Sequence, residues 1–306
     1  MKETEDCFLK VKKDYLKFLN KEKIFSKSKK KITNLKNYYI PMSFWIEKKY
    51  IEKKKTLFLG LSGGQGSGKT TISAILKIIL KNFFNREVYI SSIDDYYKTL
   101  NERKKLSNKI HPLLKTRGVP GTHDINLVKK FFNSIKLNKF KKLKLPKFDK
   151  SKDDRLKKKY FYQIKKKPEI VILEGWCVGA KPQSNSLIKN SINILEKNED
   201  KNLAWRNYVN KKLKNEYKKF FSMIDHIIFI KVPNFNMVLK WRLLQERKLK
   251  KKFYLNKKIM SHTQIKRFVM FYERITLQMI KDLNKCASMI ILLKKNHEIK
   301  KILIKP

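Results

Sequence analysis

One segment of the sequence has the residues needed to bind the phosphates of a nucleotide. Residues 63–70 read Gly-Gly-Gln-Gly-Ser-Gly-Lys-Thr and match the pattern GxxxxGK[ST]. In such a loop the backbone N–H groups point at the anion, and a helix N-terminus adds a favourable dipole. We expect Lys69 to reach the β and γ phosphates and the Thr70 hydroxyl to ligate Mg²⁺. The predicted nucleotide-binding residues are Gly63, Gly64, Gln65, Gly66, Ser67, Gly68, Lys69, Thr70 and Thr71.

Two adjacent carboxylates, Asp94 and Asp95, follow the next apolar run along the chain. Transfer of a phosphoryl group to an alcohol needs a carboxylate that accepts the hydroxyl proton and aligns the oxygen on the γ-phosphorus. We favour Asp94 as this base and keep Asp95 as the alternative. A purely structural role, as the acidic N-terminus of a helix, competes with both interpretations.

A third carboxylate, Glu174, ends the apolar run 170–173. An apolar strand that ends in a carboxylate, placed after a phosphate-binding loop in the chain, is typical of a Walker B element. We expect Glu174 to hold Mg²⁺ directly or through water. The alternative is a strand end with no role in catalysis.

These residues need a sheet that brings the ends of several strands to one edge. Residues 56–62 form a β-rich run, and residues 72–80 place apolar side chains at helical spacing directly after the glycine loop. Further short, β-branched and apolar runs predict buried parallel strands at 88–93, 170–173, 227–232 and 289–293. The sequence therefore predicts an α/β P-loop NTPase fold: a doubly wound, mostly parallel sheet with helices on both faces.

The outer parts of the chain are rich in lysine. We predict a helical extension over residues 1–55, a domain over 56–306, and lysine-rich insertions near 136–167 and 248–258, the second of them an exposed loop. No run of 18 apolar residues and no signal-peptide pattern is present, so we expect a cytoplasmic protein without a membrane partner. The three cysteines are scattered and indicate neither a disulfide framework nor a zinc site. Neither the oligomeric state nor the role of the extension is readable.

The formal charge of +49 invites a nucleic-acid interpretation. Only 9 of the 75 basic residues are arginine, and the lysines run through the whole chain without a confined patch. We therefore interpret the charge as compositional drift and expect no nucleic-acid partner, with a selected polyanion-binding surface as the alternative. Where this chain keeps arginine in place of lysine, a bidentate anion contact is a candidate explanation.

Further motifs reveal a resemblance to a known family. Residues 117–124 read Arg-Gly-Val-Pro-Gly-Thr-His-Asp, 146–151 read Pro-Lys-Phe-Asp-Lys-Ser, and 174–179 read Glu-Gly-Trp-Cys-Val-Gly. With the loop at 63–70 and the helix at 241–247, in this order, they make the chain similar to the P-loop D-glycerate 3-kinases. That group lies within the phosphoribulokinase and uridine kinase superfamily, and the resemblance runs from about residue 39 to the C-terminus.

The resemblance implies transfer of a phosphoryl group from ATP to D-glycerate, giving 3-phosphoglycerate, with Mg²⁺ required. By analogy with the superfamily, Arg242 and Arg247 are expected to close on the transferred phosphate as lid residues. The residues expected to contact the acceptor are Asp95, Tyr97, Arg117, His123, Asp124 and Arg155. Two alternatives stay open: a kinase of a nucleoside, pantothenate or another hydroxylated metabolite, and an NTPase stimulated by nucleic acid.

Overall fold

A computed structural model describes residues 2–24, 28–137, 140, 142–252 and 260–305. Its strands are β1 (Leu57–Gly63), β2 (Val88–Ser92), β3 (Leu143–Leu145), β4 (Phe148–Asp149), β5 (Asp154–Arg155), β6 (Tyr162–Ile164), β7 (Ile170–Gly175), β8 (His226–Lys231), β9 (Met289–Leu293) and β10 (Ile299–Ile304). Its helices are α1 (Lys2–Lys21), α2 (Ser28–Asn34), α3 (Ile40–Lys53), α4 (Lys69–Asn82), α5 (Leu100–Lys109), α6 (Ile125–Lys136), α7 (Asn185–Lys189), α8 (Ile194–Glu199), α9 (Ala204–Lys212), α10 (Lys218–Phe221), α11 (Phe235–Lys252) and α12 (His262–Cys286). Short π-helical segments join α2 to α3 and α9 to α10.

The central sheet has the strand order β2–β7–β1–β8–β9–β10. The pairs β2–β7, β7–β1, β1–β8 and β8–β9 are parallel, and β10 alone among these strands runs antiparallel. The prediction of a doubly wound, mostly parallel sheet is confirmed. Because parallel strands end at the same edge, the segments that follow β1, β2 and β7 meet there.

Two hydrophobic cores cover the two faces of the sheet, as the alternation of side chains in β1 requires. Leu57, Leu59 and Leu61 face a core that contains the apolar stripe of α4. Phe58 faces the opposite core, where it stacks on Phe132 of α6. Both faces are buried, which explains why the strand sequences are continuously apolar.

The N-terminal helices pack onto the α4 side of the sheet. α1 buries Cys7, Phe8, Val11, Tyr15 and Leu19 in the same core as α4 and β1. The helices α1 and α3 therefore share their hydrophobic core with the sheet. None of the helices in the described ranges is long and apolar enough to cross a membrane.

The two lysine-rich segments differ from simple loops. Residues 248–252 continue α11, so the prediction of a loop is wrong for them; residues 253–258 lie outside the described residues. Lysine is a good helix former, and no glycine or proline ends the helix there.

The 136–167 segment begins at the last residue of α6 and contains two antiparallel pairs, β3–β6 and β4–β5. We call residues 147–156, which contain β4 and β5, the hairpin arm.

Candidate active site

The glycine loop lies between the central strand β1 and the N-terminus of α4. Gly66 and Gly68 have φ values of +76° and +87°, in the left-handed region that glycine enters most easily. A Cβ at Gly66 would lie 2.8 Å from the Cβ of Trp241, so this position has no room for a side chain. The Nζ of Lys69 donates to the carbonyl oxygens of Gly63 (2.9 Å) and Gly64 (3.0 Å). The ammonium group of Lys69 therefore lies against the backbone of the glycine loop, beside the N–H groups that are expected to face phosphate.

Oxygen atoms that suit Mg²⁺ lie next to this loop. The Thr70 hydroxyl donates to Oε1 of Glu174 at 3.0 Å, and the Ser73 hydroxyl donates to Oε2 of Glu174 at 3.2 Å. Glu174 stands on β7, directly beside β1 in the sheet. A hydroxyl and a carboxylate fit an ion that takes oxygen ligands and completes its shell with phosphate and water. Thr70 and Glu174 are therefore the residues that would hold the metal.

The two adjacent carboxylates at the end of β2 have different partners. Oδ1 of Asp94 accepts a hydrogen bond from the Tyr97 hydroxyl at 3.1 Å, and Oδ2 accepts one from Nζ of Lys150 at 2.7 Å. Oδ1 of Asp95 accepts from the backbone N–H of Phe148 at 3.3 Å. Asp94 thus has a cationic partner, whereas the bond of Asp95 is to a neutral amide.

These surroundings move the two pKa values in opposite directions. Burial raises the pKa of Asp94, but the charge and hydrogen bond of Lys150, with smaller contributions from His123 and Lys69, outweigh burial and hold this pKa below its usual value. Burial raises the pKa of Asp95, and the neighbouring charge of Asp94 raises it further. A general base must be ionised before it can accept a proton, so the electrostatics favour Asp94.

His123 is buried beside the carboxylates and keeps one ring nitrogen available. Its ring stacks on Tyr97 with centroids 4.4 Å apart, and its Nδ1 lies 2.7 Å from the Tyr217 hydroxyl. That hydroxyl accepts from the backbone N–H of Gly121, so its own hydrogen is available for Nδ1. Burial lowers the pKa of His123 to about 4, which keeps the ring neutral. We infer that Nε2 carries the ring hydrogen, and this atom is buried without a hydrogen-bond partner among the described residues.

The arginines of this region make contacts within the protein. Arg117 pairs with Asp153 on the hairpin arm. Arg155 donates to the Tyr97 carbonyl oxygen at 3.1 and 2.8 Å and lies 3.5 Å from Oδ2 of Asp124, which also caps α6. The structure therefore brings Arg117, Asp124 and Arg155 to the region of Asp94, where they connect the arm to the segment after β2.

Arg103 was not singled out from the sequence, yet it is fully buried. Its guanidinium donates to the carbonyl oxygens of Lys98, Lys115 and Asp153 and to the Asp153 carboxylate. Arg103 thus joins α5 to the hairpin arm through a charged group that has no access to water.

Replacing Arg103 with methionine is expected to lower the free energy of unfolding by about 3–5 kcal/mol, because it leaves buried acceptors without a partner. Denaturant titration followed by circular dichroism measures this change. The matched control is Arg267→Met, which removes an exposed ion pair with Glu199 and is expected to cost less than about 1 kcal/mol. Equal effects in the two variants would contradict the structural role of Arg103.

The two predicted lid arginines lie on α11 and have different surroundings. Arg242 pairs with Glu246 at 2.8 Å and lies over the Phe268 ring. Its charge acts on the buried Tyr272 hydroxyl, as do those of Arg117 and Asp94. Arg247 is exposed and makes no hydrogen bond or ion pair with the described residues. Their role on the transferred phosphate remains a prediction.

Several residues of the site were missed by sequence reasoning. Lys150 is one of very many lysines, Ser73 is an ordinary helix residue in sequence, and Tyr217 and Tyr272 come from distant helical segments. Lys150 lies in the 146–151 motif and Tyr272 lies in residues 268–276, which also carry the family resemblance, but neither was assigned a role. Partners of this kind are set by tertiary contacts, which spacing along the chain does not show.

A glycine loop on the central parallel strand, facing a carboxylate on the next strand, defines a P-loop phosphotransferase. No protein-family model matches the chain. The "Uncharacterized kinase mug58" of Schizosaccharomyces pombe is 32% identical over 237 residues, which are 73% of this chain and 83% of that protein. The "Probable ATP-dependent kinase TDA10" of Saccharomyces cerevisiae is 33% identical over 234 residues, which are 69% of this chain and 72% of that protein.

Solved structures show the same fold. A D-glycerate 3-kinase from Cryptococcus neoformans superposes with a TM-score of 0.73 at 23% identity, over 87% of this chain and 99% of that one. The YGR205w protein superposes with a TM-score of 0.68 at 29% identity, over 91% of this chain and 98% of that one. The chain belongs to the P-loop D-glycerate 3-kinase family, and it is an ATP-dependent kinase of a small molecule.

Proposed function

We propose that this kinase phosphorylates a hydroxyl of D-glycerate to give 3-phosphoglycerate, with Mg²⁺ held by Thr70 and Glu174. One observation supports it above all: the Asp94 carboxylate, bonded by the Lys150 ammonium at 2.7 Å, follows β2 at the sheet edge where the phosphate-binding loop follows β1. The substrate comes from similarity. The "D-glycerate 3-kinase, chloroplastic" of Arabidopsis thaliana is 28% identical over 233 residues, which are 69% of this chain and 48% of that protein.

The chemistry follows from the residues at the sheet edge. Asp94 accepts the proton of the acceptor hydroxyl, and the oxygen attacks the γ-phosphorus as the bond to the bridging oxygen of ADP breaks. Lys69 and the loop N–H groups neutralise the charge on the phosphates. Bound Mg²⁺ would offset charge on the β and γ phosphates. Asp94 lies at the end of β2 and Lys69 follows β1, so the two strands that flank β7 supply the base and the phosphate-binding cation at one edge of the sheet.

The groups around Asp94 suit a small hydroxy acid. The Nε2–H of His123 is an available neutral donor. The charge of Asp94 acts on the hydroxyls of Tyr97 and Tyr272. A carboxylate or hydroxyl of the acceptor would satisfy the buried donor of His123. Arg117 would add a positive charge on the same side, since its charge also acts on Tyr97.

A coupled ADP-release assay on the purified chain tests the substrate. With ATP and Mg²⁺ we expect D-glycerate to stimulate ADP release and phosphorus NMR to identify 3-phosphoglycerate as the product. EDTA should abolish the stimulation, and excess Mg²⁺ should restore it. Nucleosides, pantothenate and RNA serve as comparison additions. Stimulation by one of these and none by D-glycerate would overturn the substrate assignment but leave the kinase assignment in place.

A further inference from the structure

The hairpin arm is fixed to the segment that carries the base. Asp95 accepts from the N–H of Phe148 at 3.3 Å, and the N–H of Leu100 donates to Oδ1 of Asp154 at 2.9 Å. Further bonds run from Arg155 to the Tyr97 carbonyl and from Arg103 to the Asp153 carbonyl. Both strands of the arm, β4 and β5, are therefore hydrogen-bonded to the segment that carries the base.

The tip of the arm is shaped by Asp149. Its Oδ1 accepts from the backbone N–H groups of Ser151 at 2.9 Å and Lys152 at 3.3 Å, and also from the Ser151 hydroxyl. This arrangement holds the turn that contains Lys150. The Lys150 side chain is 62% exposed, yet its ammonium lies 2.7 Å from Oδ2 of Asp94. A lysine free in solvent would not hold one partner closely, because ordering a long side chain costs conformational entropy.

Asp94 is held by two donors from different parts of the fold. The Tyr97 hydroxyl bonds Oδ1, and the Lys150 ammonium bonds Oδ2. Each carboxylate oxygen has two lone pairs, so each can still accept one more hydrogen bond. The two donors thus fix the plane of the carboxylate, and each oxygen keeps a lone pair with which it can accept from an acceptor hydroxyl.

We propose that Lys150 is a positioning residue of the phosphoryl transfer: from the hairpin arm it orients the Asp94 carboxylate and keeps it charged while the acceptor hydroxyl binds. This inference rests on the proposed role of Asp94 as the base. The competing explanation is an ordinary surface ion pair, which would contribute almost nothing to catalysis.

The ionisation of Asp94 depends on groups from several elements. Lys69 comes from α4, Lys150 from the arm and Tyr272 from α12, while His123, neutral at its pKa of about 4, comes from the loop before α6. Asp95, Tyr97 and Cys177 also interact electrostatically with Asp94. Lys150 is the strongest of the groups that lower the pKa of Asp94. Its removal should therefore let this pKa rise.

The test compares Lys150→Met, Lys150→Arg and Lys152→Met. Lys152 is exposed on the same turn, so its replacement removes one charge from the arm without touching Asp94. We expect Lys150→Met to lower kcat by about 10²-fold, the effect of a misplaced catalytic group, with the KM for ATP within about twofold of the wild type. Lys150→Arg, which keeps a charged donor, should recover most of the activity. Lys152→Met should match the wild type.

The pH profile separates positioning from a merely structural role. A carboxylate with a lowered pKa stays active until the pH falls through that pKa, so loss of Lys150 should move the acid limb of the kcat/KM profile to higher pH. Carboxyl-carbon NMR, with the Asp94 signal identified by its absence in Asp94→Asn, should show the same rise without any acceptor.

Two results would overturn the proposal. The first is a Lys150→Met enzyme whose kcat and acid limb equal those of Lys152→Met. The second is equal loss in Lys150→Met and Lys150→Arg with an unchanged Asp94 titration. If the wild type itself ignores D-glycerate, the proposed substrate fails, and the NMR titration still decides the role of Lys150.

Discussion

Lys69→Met is expected to lower kcat for ATP-dependent phosphorylation by about 10²- to 10³-fold or more. The Lys69 ammonium bonds the first two carbonyls of the glycine loop, and burial lowers its pKa while the charges of Glu174 and Asp94 oppose that shift. The negative charge of a bound nucleotide would favour the ammonium form further. Methionine has a similar length but offers neither charge nor donor, so the developing charge on the phosphates would lose its closest cation.

Steady-state kinetics measure this loss, and Lys81→Met is the matched control. Lys81 is exposed on the same helix, and its replacement changes the net charge of the chain by the same amount. Circular dichroism should show that both variants are folded. Turnover by Lys69→Met close to that of Lys81→Met would show that the loop does not bind the transferred phosphate.

The elements that could be predicted are those whose sequences show a clear pattern of apolar residues. The run 56–62, the glycine loop and the stripe at 72–80 gave β1, the loop and α4, because buried strands and amphipathic helices have clear periodicities. β10 was not predicted. Its residues are half-exposed and mix lysine with isoleucine, and only its antiparallel pairing with β9 makes it a strand.

The lysine-rich regions were harder to interpret, since lysine suits helices, turns and solvated loops alike. The helix therefore extends through residue 252 where a loop was predicted, and β4 and β5 form in a segment predicted as a surface excursion. Each β-strand of the arm has two residues, too few for any periodicity to register. The arm is fixed by tertiary contacts, among them the bond from the buried Arg103 to the Asp153 carbonyl, across about fifty residues of chain.

The sequence favoured Asp94 over Asp95 as the base but left both open, because the two are neighbours of the same type. Their partners separate them: a lysine ammonium bonds one and a backbone amide bonds the other. The arm supplies both partners. The electrostatic difference between the two carboxylates is therefore a tertiary property, and it leads to the second large effect that we expect.

Asp94→Asn is expected to lower kcat by about 10²- to 10⁴-fold, the usual contribution of a general base. Asparagine keeps the shape of the side chain, but its single carbonyl oxygen can replace only one of the two oxygens that accept from Tyr97 and Lys150, and it cannot take a proton from an alcohol. The Kd for ATP should stay the same or fall, because a negative charge near the phosphates is removed. Calorimetric titration with ATP measures that affinity independently of turnover.

Asp95→Asn is the comparison that makes this result specific. Its pKa is raised by burial, and its hydrogen bond from Phe148 can also be accepted by an amide oxygen, so we expect a loss of less than about tenfold. The reverse order of effects would assign the proton transfer to Asp95. Full activity in both variants would remove the carboxylate pair from the chemistry, and loss of ATP affinity in Asp94→Asn would give that residue a structural role. The assignment of the base therefore depends on a difference in activity between two variants of adjacent residues. Asp94 and Asp95 lie in the same backbone turn but accept hydrogen bonds from different donors.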